Sequence, residues 1–203
     1  MILLLGATGH VGQAFSNELR RRGQPFIPLT RSAIDYTQFE VLFDYVRKIK
    51  PSFLINAAGY TGRPNIDACE VERKDTLQAN ALFPQNVAKV CRITNTPWGH
   101  VSSASIYAGT KVLDNGRVRT QRDINDPETA QAVMDRPEDF FYFTEKDEPN
   151  FSFRHGPCNF YSGTKALAEE TLRDFGDNYI WRPGVVFDEF DGPRNFLTKL
   201  QRC

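Results

Sequence analysis

The chain alternates short apolar runs with stretches whose apolar residues recur every three or four positions. Ile2-Leu3-Leu4-Leu5 ends at Gly6, and an uninterrupted apolar run closed by a glycine predicts a strand buried on both faces. A helix follows through about Arg22 and stops before Gly23, and Phe26 to Leu29 predicts the second strand. From Gln38 to Lys50, Phe39, Leu42, Phe43, Val46 and Ile49 share one face of a helix that Pro51 ends. Phe53 to Asn56 predicts a third strand, Thr76 to Thr94 a helix carrying Asn80, and Trp98 to Ser102 a fourth strand. Tyr161 to Phe175 predicts another helix, with Leu167, Leu172 and Phe175 apolar, and Tyr179 to Trp181 a strand before Arg182-Pro183. Strands alternating with helices predict an α/β fold with a doubly wound parallel sheet. A chain of 203 residues fits one domain, residues 1-203, better than two.

The pattern breaks down from about Asp114 to Phe143, where polar and charged sequence allows one short helix, Pro127 to Asp135. A connection this long serves as a lid or binding loop or is disordered, so residues 114-145 are expected to be a substrate loop or lid. Composition narrows the partners. The 25 basic residues equal the 25 acidic ones, and without a basic run neither nucleic acid nor an anionic membrane is an expected partner. The opening apolar run is too short for a secretory signal and lacks a basic flank, and nothing approaches a membrane span, so a cytoplasmic protein is expected. Cys69, Cys91, Cys158 and Cys203 are scattered, with no histidine at metal-ligand spacing. They read as reduced thiols, and no metal is expected.

Three stretches carry candidate chemistry. Gly6-Ala7-Thr8-Gly9-His10-Val11-Gly12 follows a strand and opens a helix. That context suits a turn whose backbone approaches a pyrophosphate and seats its charge on the helix N-terminus. At the end of the second strand, where an acid would take a free ribose 2′-hydroxyl, the chain has Thr30-Arg31-Ser32; this favours NADP(H) while leaving NAD(H) open. Ala57-Ala58-Gly59-Tyr60 supplies small residues to lie against a cofactor, and Ser102, Ser103 and Ser105 gather at the end of a central strand, where ligands bind in such sheets. Tyr161 and Lys165 stand four apart at a helix start, hence on one face. Chance supplies that spacing often. Where it is functional, the cation should lower the phenol pKa toward working pH.

The order of glycine turn, Asn56-Ala57-Ala58-Gly59, serine cluster and Tyr161-x-x-x-Lys165 resembles the extended short-chain dehydrogenase/reductases over essentially the whole chain, which implies a Rossmann fold. Asn56 through Thr61, Asp67 through Glu70, Asn80-Ala81 and Asn195 through Leu200 look like the dTDP-4-dehydrorhamnose reductase group. Thr61-Gly62-Arg63-Pro64-Asn65-Ile66-Asp67, Phe160-Tyr161-Ser162 and Pro193-Arg194-Asn195-Phe196 are closer still to the reductase half of plant-type UDP-rhamnose synthases. The resemblance implies NAD(P)H-dependent reduction of the C4 ketone of a nucleotide-linked 4-keto-6-deoxy sugar. In it Tyr161 gives the proton, Ser103 bonds the same oxygen, and Lys165 holds the nicotinamide ribose and keeps the phenol acidic. It further implies Gly6, Thr8, Gly9, His10, Val11 and Gly12 at the pyrophosphate, Arg31 and Asp35 toward the adenosine end, and Ala57, Ala58, Tyr60, Asn80 and Pro183 along the cofactor. Thr61, Arg63, Asn159, Asn195 and Phe196 would face the nucleotide-sugar. A homodimer stays open.

Ser102-Ser103-Ala104 stands where the reductases carry Ser-Thr-Asp and looks like the corresponding run of sugar 4-epimerases, so an NAD-dependent 4-epimerase is the first competitor. Ala104-Ser105 lacks the Asp-Glu pair of 4,6-dehydratases, and Ser105 replaces a cysteine of the plant-type proteins, which speaks against dehydration and an added 3,5-epimerase step. The family continues for a further third of its length, so residues 183-203 are expected to begin a truncated or reduced substrate-binding part. A non-catalytic NADP(H)-binding regulatory protein is the alternative of another class. Keeping Ser103, Tyr161 and Lys165 together speaks against it.

Overall fold

A computed structural model describes residues 1–176, 178–187 and 195–200. Five strands, β1 (Ile2–Leu5), β2 (Phe26–Leu29), β3 (Phe53–Asn56), β4 (Trp98–Val101) and β8 (Asn178–Trp181), form one parallel sheet in the order β2-β1-β3-β4-β8. The order reverses at β1, because α1 (His10–Arg21) carries the chain outward to β2 and α2 (Phe39–Ile49) brings it back across to β3. At such a switch point the carboxyl ends of neighbouring strands diverge and leave a crevice.

Successive side chains of a strand point to opposite faces, so one apolar run feeds two cores. Leu3, Leu5 and Leu54 pack with Leu42 and Val46 of α2, with Val87 and Val90 of α4 (Phe83–Thr94) and with Leu172 of α6 (Phe160–Arg173). Leu4 and Ile55 pack with Leu19 of α1 on the other face. Leu3, Leu4, Leu5 and Leu54 are fully buried, each contributing about 1.5–3 kcal/mol. The doubly wound sheet expected from the sequence is therefore present.

Boundaries move by one to three residues: α2 begins at Phe39, β4 ends at Val101, and α6 runs from Phe160 to Arg173. The helix expected from Thr76 starts earlier, as α3 (Arg73–Leu77), and passes through a π-turn at Gln78–Leu82 before α4.

The larger correction concerns residues 110–141. A hairpin of β5 (Thr110–Asp114) and β6 (Arg117–Gln121), helix α5 (Pro127–Asp135) and β7 (Phe140–Phe141) build a three-stranded antiparallel sheet in the order β6-β5-β7. The short helix was expected and the sheet was not. Asn115 and Gly116 turn the hairpin with φ of 48° and 75°, the two positive values that an Asn-Gly type I′ turn needs. That dipeptide was the available signal.

Candidate active site

The crevice is a cavity of about 420 Å³ at the carboxyl ends of β1, β3 and β4, between the glycine turn and the first turns of α6. Gly6 turns the chain out of β1 with φ +75°, and a Cβ on it would lie 2.5 Å from Ala58 N. A Cβ on Gly12 would lie 2.1 Å from Gly6 O, whereas one on Gly9 meets nothing closer than 3.4 Å. The outer glycines let turn, helix and sheet touch; the middle one keeps the outer surface of the turn free of a side chain. Gly9 caps α1 with no side-chain hydrogen bond and no acid follows in the first turn, so the positive helix end stays open to an anion. This cradle fits a dinucleotide pyrophosphate.

The opposite wall hangs on β3. Asn56 Oδ1 accepts from Ala58 N at 3.1 Å, which turns its Nδ2 toward His100 Nδ1 at 3.2 Å. The buried imidazole therefore carries its proton on Nε2. Burial, with Lys165 nearby, pushes the His100 pKa well below its ordinary value and keeps the ring neutral. Asn80, in the π-turn, accepts from Tyr60 N at 2.7 Å and donates to Tyr60 O at 2.8 Å. It fixes the backbone beside the cavity, and the Tyr60 hydroxyl turns away to Glu72.

At the end of β4, Ser103 Oγ accepts from Ser105 N at 3.1 Å and Ser105 Oγ at 2.8 Å, and its hydroxyl acts to lower the pKa of the neighbouring Tyr161 phenol. Asn159 caps α6 by accepting from Ser162 N at 2.7 Å, which explains why the helix starts where Tyr161 faces Ser103. Lys165, one turn on, is 4% exposed and donates to Val101 O at 3.1 Å. Burial lowers its pKa to about 8, and Glu169 opposes that shift.

The expected fall of the Tyr161 pKa is corrected. Burial raises it above the ordinary phenol value, and the Ser103 hydrogen bond only partly offsets the rise. Lys165 Nζ stands over the ring, 6.0 Å from its centroid, and spends a proton on a backbone carbonyl. Desolvation therefore outweighs the cation.

Gly9, His10, Val11, Ala57, Ala58, Thr61, Ser103, Tyr161, Lys165 and Pro183 line this one cavity. Gly6 and Gly12 stand behind it, and Thr8 lines a separate hollow of about 400 Å³ between α1 and the end of β2, with Arg20 and Thr30. Arg31 and Asp35 are exposed beyond β2, with the Arg31 charge among the causes that lower the Asp35 pKa after its hydrogen bond to Thr37. Arg63 is exposed next to the cavity-lining Gly62 and Pro64. Asn195 is buried and accepts from Leu197 N at the start of α7 (Phe196–Leu200), with Phe196 exposed; Pro193 and Arg194 lie outside the described residues. Sequence reasoning missed His100 and Glu169. The Glu169 signal was the same four-residue step that picked out Lys165.

The family profile described as RmlD substrate binding domain matches residues 1–203. The chain belongs to that family. It is 30% identical over 201 residues to an Arabidopsis thaliana trifunctional UDP-glucose 4,6-dehydratase/UDP-4-keto-6-deoxy-D-glucose 3,5-epimerase/UDP-4-keto-L-rhamnose-reductase, covering 98% of this chain and 26% of that protein. It is 27% identical over 201 residues to the bifunctional dTDP-4-dehydrorhamnose 3,5-epimerase/dTDP-4-dehydrorhamnose reductase of the same plant, covering 98% of this chain and 57% of the relative. The fold matches a UDP-rhamnose synthase from Acanthamoeba polyphaga mimivirus with TM-score 0.75 at 21% identity, over 100% of this chain and 62% of that one. A dTDP-4-dehydrorhamnose reductase from Bacillus anthracis, solved in complex with NADP, matches with TM-score 0.66 at 19% identity, over 99% and 58%. The chain thus spans about a quarter of the first plant relative and about three fifths of the solved structures. No helix among the described residues is long and apolar enough to cross a membrane.

Proposed function

We propose that this chain forms the cofactor-binding and catalytic part of an NAD(P)H-dependent reductase acting on the C4 ketone of a nucleotide-linked 4-keto-6-deoxy sugar. The observation that carries the reading is the convergence of Ser103, Tyr161 and Lys165 on the cavity that the glycine turn also lines. The family membership and the reductase names of the relatives support it. The cradle around Gly6, Gly9 and Gly12 and the open end of α1 would hold the pyrophosphate. Ala57, Ala58 and Lys165 would lie along the remainder of the cofactor. The reduced nicotinamide supplies the hydride when bound.

This chain's own residues handle the charge that hydride addition builds on the ketone oxygen. Tyr161, a phenol protonated at neutral pH, donates to that oxygen, Ser103 bonds it from the neighbouring strand end, and the Lys165 ammonium lowers the cost of the phenolate left behind. A 4-epimerase first needs the same tyrosine as a base. The reductase names of the relatives favour reduction over epimerisation. NADP(H) is preferred over NAD(H), because β2 runs into Thr30-Arg31-Ser32 without an acid. Residues 114–145 would form a substrate loop or lid on the sugar side, and residues 183–203 would begin the substrate-binding part. Three described cysteines are unpaired thiols, which suits a cytoplasmic protein.

The test mixes the full chain with NADPH and a nucleotide-linked 4-keto-6-deoxy sugar and follows nicotinamide absorbance. Oxidation is expected, falling about 10²–10⁴-fold in Tyr161→Phe. Tight NADPH binding without turnover would overturn the reading in favour of a regulatory protein, and conversion of a UDP-hexose to its C4 epimer would point to the epimerase.

A further inference from the structure

Lys165 is not the last charged residue buried on α6. Glu169, one turn further along the same face, is 1% exposed. Its carboxylate is gripped by Arg182, just past β8, whose Nε donates to both oxygens at 3.1 and 3.0 Å and whose Nη2 donates to one at 2.6 Å. The guanidinium in turn donates from Nη1 to the Tyr107 hydroxyl at 2.8 Å and to Glu145 O at 3.1 Å. An unpaired carboxylate in so dry a place would be strongly disfavoured, so the fork-shaped partner is a condition for keeping a charge there at all. The charge has a neighbour that needs it. Lys165 is equally buried, and the other titratable groups facing it among the described residues bring no negative charge: Tyr161 on α6 is a phenol and His100 on β4 is neutral.

We propose that Glu169 is a positioning residue for Lys165, supplying the negative charge that keeps the lysine an ammonium inside the crevice, and that Arg182 holds the carboxylate in place for that purpose. The inference rests on the catalytic reading of Lys165 only for its consequence; the electrostatic relation itself can be measured without turnover. It agrees with the opposing directions in which burial and Glu169 move the lysine.

The experiment labels the lysines with carbon-13, assigns the Lys165 Cε signal with Lys165→Met, and follows its shift against pH in the wild type, in Glu169→Gln and in Glu169→Gln combined with Arg182→Met. The wild-type midpoint is expected near pH 8, where burial and Glu169 together place it. In Glu169→Gln it is expected at least one unit lower, a tenfold loss of ammonium at a given pH above both midpoints, because the carboxylate is gone and Arg182 remains. In the double variant it should lie between the other two, since removing both partners of a buried pair also removes the repelling cation. If Glu169→Gln does not fold, the double variant against the wild type decides, with a lower midpoint expected. Identical midpoints in all variants that fold would overturn the proposal and leave the pair a structural clamp. NADPH titrations on the same samples keep the two readings apart. A midpoint that moves without any NADPH binding upholds the pairing and sinks the reductase, whereas binding with an unmoved midpoint does the reverse.

Discussion

At the scale of single residues, the crevice keeps Lys165 at a cost. Its pKa falls from 10.5 to about 8 on folding, so burial of the ammonium destabilises the chain by about 3 kcal/mol at neutral pH. Lys165→Met removes that charge at nearly the same volume and leaves Glu169 paired with Arg182, while giving up one hydrogen bond to Val101 O. The net gain should be about 2 kcal/mol, raising Tm by about 4–8 °C at pH 7 while abolishing turnover. Between about pH 8 and 10.5 the unfolded wild type still holds a proton that the folded protein has lost. Wild-type stability therefore rises with pH across that window, and the advantage of the methionine variant should shrink. Thermal melts of both proteins at pH 7 and pH 10 check this. A lower Tm for Lys165→Met at pH 7 would mean that the lysine is a net stabiliser.

Elements explain why some site residues could be read from the sequence and others could not. The turn from β1 into α1 was legible because three glycines do separable work at fixed spacing. An added Cβ at position 12 would lie 2.1 Å from Gly6 O, but at position 9 only at 3.4 Å. Gly12→Ala should therefore cost about 1–3 kcal/mol through forced separation of helix and turn. Gly9→Ala should melt within about 2 °C of the wild type yet bind NADPH at least tenfold more weakly, because its methyl would sit on the anion-facing surface of an intact turn. Melting curves and fluorescence titrations of the two variants distinguish the roles; equal loss of stability in both would contradict the division. Asn80 was less legible. Sequence placed it on a helix toward the cofactor, and the structure sets it in a π-turn with both ends of its carboxamide on the Tyr60 backbone across a 20-residue separation. The Tyr161 pKa failed for a related reason, since helix spacing shows that a cation is close but not that burial dominates.

For the whole molecule, what the sequence concealed is how the second sheet is held. Its strands pair at separations of a few to thirty residues, and along β5 and β6 no residue is buried, so no apolar period announces it. Three strands without a buried face are marginal alone, and these are fastened to the parallel sheet by polar ties. Tyr107 stacks on Phe143 at 4.8 Å, donates to Asp147 O at 2.8 Å and receives Arg182. Lys111 pairs with Asp147 at 2.9 Å, and Arg122 donates to Gly156 O and His155 O, in the loop before α6. Tyr107→Phe keeps the ring stack and removes only the hydroxyl, so about 1–2 kcal/mol of the tie is lost. Because the insert has little core of its own, the loss should appear there first. Amide exchange of residues 110–121 and 140–141 should quicken roughly five- to thirtyfold, while β1, β3 and β4 keep their protection and Tm falls by only a few degrees. Uniform quickening through both sheets would show that the insert and the parallel sheet open as one unit, and unchanged exchange in the insert would show that the hydroxyl does not secure it.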